Sequence, residues 1–102
     1  MTENQQLAHE ILRQLGGIRF AVMTGAKHFA ELERGLGFQI PGNLTKNGIN
    51  AVKIVLDQSD TYTVKFMRIS RSKLTVIKEV SDVYCDMLQD VFERATGLFT
   101  HL

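Results

Sequence analysis

The sequence predicts an α+β domain: an N-terminal helix, a five-stranded antiparallel β-meander and a C-terminal helix, with both helices packed on one sheet face. Apolar residues recur every three to four positions near both ends of the chain, whereas between residues 18 and 80 they alternate with polar residues. Each predicted helix has one apolar face that must be buried, and a sheet offers the matching surface. The 102 residues suit one domain, which we expect to span residues 1–102.

The first helix is predicted from Glu3 to Leu15. Thr2 and Gln5 have the spacing of a capping box, in which each residue satisfies a main-chain N–H of the other. The apolar stripe behind this box comprises Leu7, Ile11 and Leu15. The helix is expected to end at Gly16-Gly17, because glycine accepts the left-handed conformation common at helix C-termini.

Alternation with a period of two begins at residue 18 and predicts a strand over residues 18–24. A hairpin is predicted next around Glu33-Arg34-Gly35, with the glycine supplying a positive φ. The segments predicted as strands after residue 24 are 28–32, 36–40, 49–56, 62–69 and 74–80, so the alternating segments number six, one more than the five strands of the predicted meander. Such alternation is typical of an antiparallel sheet with one covered face and one face in water.

The second helix is predicted over residues 82–96, with Ser81 as its N-cap and Asp82 in its first turn. Gly97 is expected to end it. Its apolar rows are Val83, Met87, Val91 and Ala95, and beside them Tyr84, Leu88 and Phe92.

The composition indicates the kind of cellular compartment in which the protein is expected. Cys85 is the only cysteine, so the chain has no internal disulfide and fits a reducing environment. The polar first residues do not resemble a signal peptide, and no apolar run approaches the ~20 residues of a membrane span. We therefore expect a cytoplasmic protein without membrane contacts.

The sequence carries no signature of catalysis. Gly35-Leu36-Gly37 lacks the third glycine and following helix of a dinucleotide fingerprint, and Cys85 has an acidic neighbour that disfavours a thiolate. No metal-ligand spacing surrounds the histidines, which are His9, His28 and His101. These observations predict a protein that is not an enzyme and that needs no metal or cofactor.

Three carboxylates recur every four positions on the second predicted helix: Asp82, Asp86 and Asp90. Three carboxylates in a row could bind a divalent cation. An exposed helix face is more often acidic simply to stay solvated. The stripe could also mimic the charge of a nucleic acid towards a basic protein partner.

The net charge of +1 conceals an uneven distribution: residues 18–80 carry +5, residues 81–102 carry −3, and the first helix carries −1. The basic residues near one predicted hairpin are Lys65, Arg68, Arg71 and Lys73, and two predicted turns add Lys27 and Lys46. A basic two-stranded ribbon can follow a nucleic-acid groove and contact phosphates, so these six residues predict contact with DNA or RNA. Lysines that protect edge strands from pairing are the alternative.

Aromatic side chains for base stacking are few in the predicted strands. The candidates are Phe20, Phe38, Tyr62 and Phe66, and periodicity directs most of them to the core.

Several segments together resemble a family of small uncharacterised proteins found in phages, prophages and bacterial plasmids. These segments are 11–17 (ILRQLGG), 23–27 (MTGAK), 46–50 (KNGIN), 60–62 (DTY) and 95–98 (ATGL). The resemblance spans nearly the whole chain and implies a bacterial or phage accessory protein. It supplies no catalytic residue.

The sequence thus predicts a non-enzymatic accessory binding module of phage or mobile-element origin that contacts nucleic acid through a basic sheet face. The alternative is a protein-interaction module, either a homodimer or an inhibitor of a host protein. It would use a sheet edge or the acidic last helix.

Overall fold

The computed structural model describes residues 2–100 and confirms the predicted fold class. Five antiparallel strands form one sheet in the order in which they occur along the chain. They are β1 (Lys27–Leu32), β2 (Gly35–Gln39), β3 (Ala51–Leu56), β4 (Tyr62–Ser70) and β5 (Lys73–Val83). The α-helices are α1 (Glu3–Leu15), α2 (Ile18–Thr24) and α3 (Leu88–Thr96).

The predicted capping box at the start of α1 is confirmed. The Gln5 main-chain N–H donates to Thr2 Oγ1 at 3.1 Å, and the Thr2 N–H donates to Gln5 Oε1 at 2.9 Å. Helix α1 is then fixed to the sheet, because Asn4 Oδ1 accepts a hydrogen bond from the main-chain N–H of Arg34 in the β1–β2 turn. Local capping and one tertiary bond thus set where α1 begins and where it docks.

The strand predicted over residues 18–24 is wrong, because Ile18–Thr24 is the short helix α2. Apolar and polar residues alternate in six segments of the sequence, and the five segments after residue 24 form the strands of the sheet. Helix α2 satisfies its own main-chain bonds and buries Phe20, whereas Ile18 and Val22 remain 84% and 76% exposed. The alternation that suggested a strand therefore does not describe a buried face.

The core lies between the helices and one face of the sheet. Cross-strand partners point to the same face, and the register pairs Phe38 with Val52 and Val52 with Phe66. The buried sheet residues on this side are Leu36, Phe38, Val52, Ile54, Tyr62, Val64, Phe66 and Val83. They form one cluster with the apolar residues of α1, α2 and α3, so all three helices cover the same face. We call the other face of the sheet the open face.

The β1–β2 hairpin occurs where predicted, but its glycine has a different role. Arg34, not Gly35, adopts the positive φ of 59°. Gly35 already belongs to β2, where an added Cβ would lie 2.2 Å from the Ile54 carbonyl oxygen. Gly35 is therefore required because the neighbouring strand approaches closely.

The helix predicted over residues 82–96 begins later than expected. Strand β5 continues through Ser81 and Asp82 to Val83, which pairs with Tyr62 and is buried in the core. A 3-10 turn over Cys85–Met87 then leads into α3. Burial of Val83 against the sheet explains why β5 continues past the predicted N-cap.

Tyr62 links the sheet to α1. Its ring is buried, and its hydroxyl donates a hydrogen bond to Gln14 Oε1 at 3.0 Å. Burial raises the pKa of the Tyr62 phenol above its ordinary value.

We predict that Tyr62→Phe costs about 1 kcal/mol of unfolding free energy at pH 8, because the bond to Gln14 is lost. The folded protein also holds the phenol proton more tightly than the unfolded chain. That contribution is complete below the unfolded pKa of about 10 and is lost as the pH rises through the folded pKa. Urea unfolding between pH 8 and 11 should therefore give a shallower loss for the variant than for the wild type.

The matched control is Tyr84→Phe, since Tyr84 is an exposed tyrosine outside the core. It should follow the wild type across the whole range. Parallel pH profiles for both variants would contradict the assigned role of Tyr62.

Candidate nucleic-acid interface

The two ends of the sheet carry opposite charge. Strands β1, β3 and β5 begin at one end, where β2 and β4 finish. At this end, segments 40–50 and 67–78 contain no acidic residue, and their basic residues are Lys46, Arg68, Arg71, Lys73 and Lys78. The turns at the opposite end and the end of β5 hold Glu33, Asp57, Asp60 and Asp82, with Arg34 as the one basic residue among segments 33–34, 57–61 and 81–82. The charge asymmetry seen in the sequence is thus partly an asymmetry between two ends of one sheet.

A hairpin arm extends from the basic end. We define the arm as residues 67–76, the parts of β4 and β5 beyond the last buried side chain of β4, Phe66. Arg68 pairs with Thr75 and Ser70 pairs with Lys73, so a two-residue turn, Arg71-Ser72, joins the strands. Arg71 adopts a positive φ of 55° in this turn.

One side of the arm presents only polar and cationic groups. It forms a shallow concave surface of about 500 Å³, which we call the donor face, lined by Arg68, Ser70, Arg71, Ser72, Lys73 and Thr75. Three cations and three hydroxyls meet there without a carboxylate. Guanidinium groups bind phosphate oxygens in pairs, and hydroxyls add further donors, so the donor face suits a polyanion.

The donor face lies on the helix side of the sheet. Side chains alternate along β4, so Arg68 points to the same side as Phe66, beyond the reach of the core. The opposite side of the arm is apolar. Its side chains are Met67, Ile69, Leu74 and Val76, of which the last three are between 41% and 55% exposed.

The loop between β2 and β3 holds the base of the arm. Asn50 forms two hydrogen bonds with the main chain of Ile69: Nδ2 donates to the carbonyl oxygen, and Oδ1 accepts from the N–H, both at 2.8 Å. The Asn50 side chain thereby imitates a strand neighbour. Gly48 adopts a φ of +70°, and an added Cβ would lie 3.1 Å from Arg68 Cδ, so the Arg68 stem packs against the loop.

The predicted nucleic-acid residues separate into groups. Arg68, Arg71 and Lys73 come together on the donor face. Lys65 does not join them, because it lies on the open face, paired with Lys53 across β3 and 3.7 Å from Glu79 Oε1. The hypothesis of one basic sheet face is therefore too simple.

Lys27 and Lys46 both lie at the basic end, with different surroundings. Lys27 starts β1 opposite Gln39 and lines a shallow depression with Asn50 and Ile69. Lys46 Nζ donates to the Arg94 carbonyl oxygen at 3.2 Å. This bond satisfies a free carbonyl at the end of α3, so Lys46 has a structural task beside the donor face.

The three predicted interaction carboxylates do not form a helical stripe. Asp82 is in β5, Asp86 is in the 3-10 turn and Asp90 is in α3. Asp90 also forms an ion pair with Arg94 on the next helical turn, in which Arg94 Nε lies 3.0 Å from Asp90 Oδ2. Because α3 begins only at Leu88, Asp82 and Asp86 do not lie on the same helix as Asp90, and the predicted acidic stripe does not form.

The four aromatic residues that the sequence offered for base stacking are buried. Phe20, Phe38, Tyr62 and Phe66 are all at most 4% exposed. This agrees with the expectation from periodicity, and it favours contact with phosphates over stacking of bases on these rings.

Titratable groups give no further cluster within residues 2–100. No group of three or more His, Cys, Asp or Glu side chains there has the arrangement of a metal site. Glu10 has a pKa below its ordinary value because of its hydrogen bonds to Arg13, and both lie at the surface of α1. Of the histidines weighed from the sequence, His101 lies outside the described residues.

A second concave surface lies between α1 and β1. It has a volume of about 540 Å³ and is lined by Gln5, Ala8, His9, Leu12, Phe29, Ala30, Glu31 and Leu36. His9 and Glu31 are its ionisable groups.

Within residues 2–100, no helix is both long and apolar enough to cross a membrane.

Comparison with protein-family models, curated proteins and solved structures finds no significant match to this chain.

Sequence reasoning missed two features of the interface. The first is the change of face between Lys65 and Arg68, which strict alternation from Phe66 could have revealed. The second is the pairing of Asn50 with Ile69, for which the sequence has no local signal because the two residues are 19 positions apart.

We predict that Asn50→Ala lowers the unfolding free energy by about 1–2 kcal/mol, because two hydrogen bonds to the arm are lost. Amide hydrogen exchange at Ile69 should accelerate more than exchange in β2 or β3. Asn43→Ala is the control, since Asn43 is an exposed residue of the same loop. Equal exchange at Ile69 in both variants would show that Asn50 does not hold the arm.

Proposed function

We propose that this protein is a non-enzymatic accessory binding module that contacts the phosphate backbone of a nucleic acid through the donor face of the arm. The observation that carries the proposal is the composition of that face. Arg68, Arg71 and Lys73 converge there with three hydroxyl groups, and segment 67–78 contains no acidic residue.

Phosphate is the chemical group that this arrangement suits best. Two guanidinium groups and an ammonium provide charge, and they donate hydrogen bonds but accept none. In a surface of mixed charge, carboxylates would compete with phosphate for these donors. The arm extends past the core, so a long polyanion can reach the donor face without entering a pocket.

The cellular setting belongs to the same proposal. The resemblance to phage, prophage and plasmid proteins favours an accessory role in a mobile element, and the single cysteine favours the cytoplasm. Nucleic acid is available to such a protein there. The assignment to binding is supported by the donor face, which offers positive charge and hydrogen-bond donors on an exposed hairpin.

We predict that Arg68→Glu with Arg71→Glu abolishes binding to mixed-sequence DNA at 50 mM salt, because attraction at the donor face becomes repulsion. For the wild type, the logarithm of the affinity should fall with the logarithm of the salt concentration with a slope of about −3, for three phosphate contacts. Fluorescence anisotropy with a labelled duplex measures both quantities.

The control for charge is Arg19→Glu with Lys53→Glu, which changes the net charge equally at two exposed positions away from the arm. This variant should keep most of the affinity. Equal losses in the two double variants would mean that net charge, and not the donor face, governs binding. Circular dichroism confirms that each variant is folded.

A second candidate function is protein interaction, and the apolar side of the arm favours it. Ile69, Leu74 and Val76 are exposed together on the open face, where contiguous apolar surface is unusual for a monomer. Two copies could bury these patches against each other about a twofold axis. Asp82, Asp86 and Asp90 would then lie outside the contact, available to a basic host protein.

For this second candidate we predict that Ile69→Ser with Leu74→Ser converts a dimer into a monomer, as measured by sedimentation velocity at about 100 μM. Ile18→Ser with Val22→Ser removes an even more exposed apolar pair from α2 and should leave the dimer intact. A wild-type protein that sediments as a monomer would remove the homodimer from consideration.

A further inference from the structure

The donor face has a second property besides its charge: its three cations donate hydrogen bonds and accept none, and among its side chains only the three hydroxyls can also accept. Its six residues include no Asn, Gln, Asp or Glu. The neighbouring amide of Asn50 is already engaged by both atoms with the main chain of Ile69. A ligand that fits this face therefore presents acceptors at several adjacent positions.

The size of the arm matches one nucleic-acid surface. Each strand of the arm contributes four residues, 67–70 and 73–76, which span about 13 Å. The major groove of B-form DNA is about 12 Å wide and 8.5 Å deep, and it admits a two-stranded ribbon. The arm is thus long enough for its side chains to reach the base edges.

Among base edges in that groove, guanine offers the closest complement. It presents two acceptors, N7 and O6, whereas adenine and cytosine each present a donor that needs an acceptor side chain. Thymine presents one acceptor and a methyl group. A guanidinium group, which only donates, therefore favours guanine.

Arg68 is the residue placed to make this contact. Its stem packs against Gly48, which restricts where the guanidinium can lie. Within residues 2–100, no carboxylate lies within ion-pair distance of Arg68. Its planar fork is therefore available and partly ordered before a ligand binds. Arg71, in the turn, is placed to contact phosphate.

We propose that the donor face enters the major groove of duplex DNA and that Arg68 hydrogen-bonds guanine N7 and O6. This inference rests on the proposed function and names its substrate: duplex DNA containing guanine, read through direct base contact.

The test compares two 14-base-pair DNA duplexes of the same guanine-containing sequence, one of which carries 7-deazaguanine throughout. The modified base lacks N7 but keeps the phosphates, the charge and Watson–Crick pairing. Fluorescence anisotropy at 100 mM salt should give about tenfold weaker binding to the modified duplex.

Two variants assign the effect to a residue. Arg68→Ala removes every donor of the side chain, so its affinities for the two duplexes should differ by less than twofold. Arg71→Ala should bind both duplexes more weakly but retain the tenfold difference.

Each other outcome has a distinct meaning. Equal binding of both duplexes by the wild type overturns the guanine contact and leaves phosphate binding intact. An unchanged tenfold difference in Arg68→Ala overturns the assignment to Arg68. Tighter binding to an RNA duplex of this sequence overturns the major-groove geometry, since that groove is deep and narrow in RNA. No binding to any duplex at 50 mM salt contradicts the proposed function itself.

Discussion

The contact of the Phe92 ring with three other aromatic rings holds the layers of this fold together. Its ring centroid lies 5.0 Å from that of Phe20, 6.2 Å from that of Phe38 and 6.5 Å from that of Phe66. One residue of α3 thereby contacts α2, β2 and β4. Aromatic pairs of this kind contribute about 0.5–1.5 kcal/mol each beyond the area they bury. This cluster sets the positions of α2 and α3 relative to the sheet.

The position of the cluster also determines where the interface begins. Phe66 is the last buried side chain of β4, and the strand continues beyond it without helices above. Alternation then divides the arm into a polar side and an apolar side. Strand β3 does not extend far enough to pair with the base of the arm. The Asn50 side chain forms hydrogen bonds with the main chain there instead. The interface is thus an extension of the sheet past its own core.

Periodicity and capping predicted much of the fold, because both depend on residues close together in sequence. The capping box of α1, the β1–β2 hairpin and the five-strand sheet followed from such signals. The helix Ile18–Thr24 was not predicted from these signals. A short helix places the Phe20 ring in the aromatic cluster as well as a strand would, so the burial of Phe20 does not distinguish the two. Val83 likewise stays in β5 through its burial beside Tyr62, a contact between distant residues. The basic residues were identified from the sequence, but their division between two faces, which follows from alternation along β4, was missed.

The most direct test of the interface is an NMR titration of the labelled protein with a short DNA duplex at low salt. If the donor face is the contact surface, amide shifts concentrate in residues 68–75 and in the adjoining turn Lys46–Gly48. The middle of the open face, around Lys53, Lys65 and Glu79, then stays unchanged. Shifts centred on those three residues, or no shifts at all, would contradict the account.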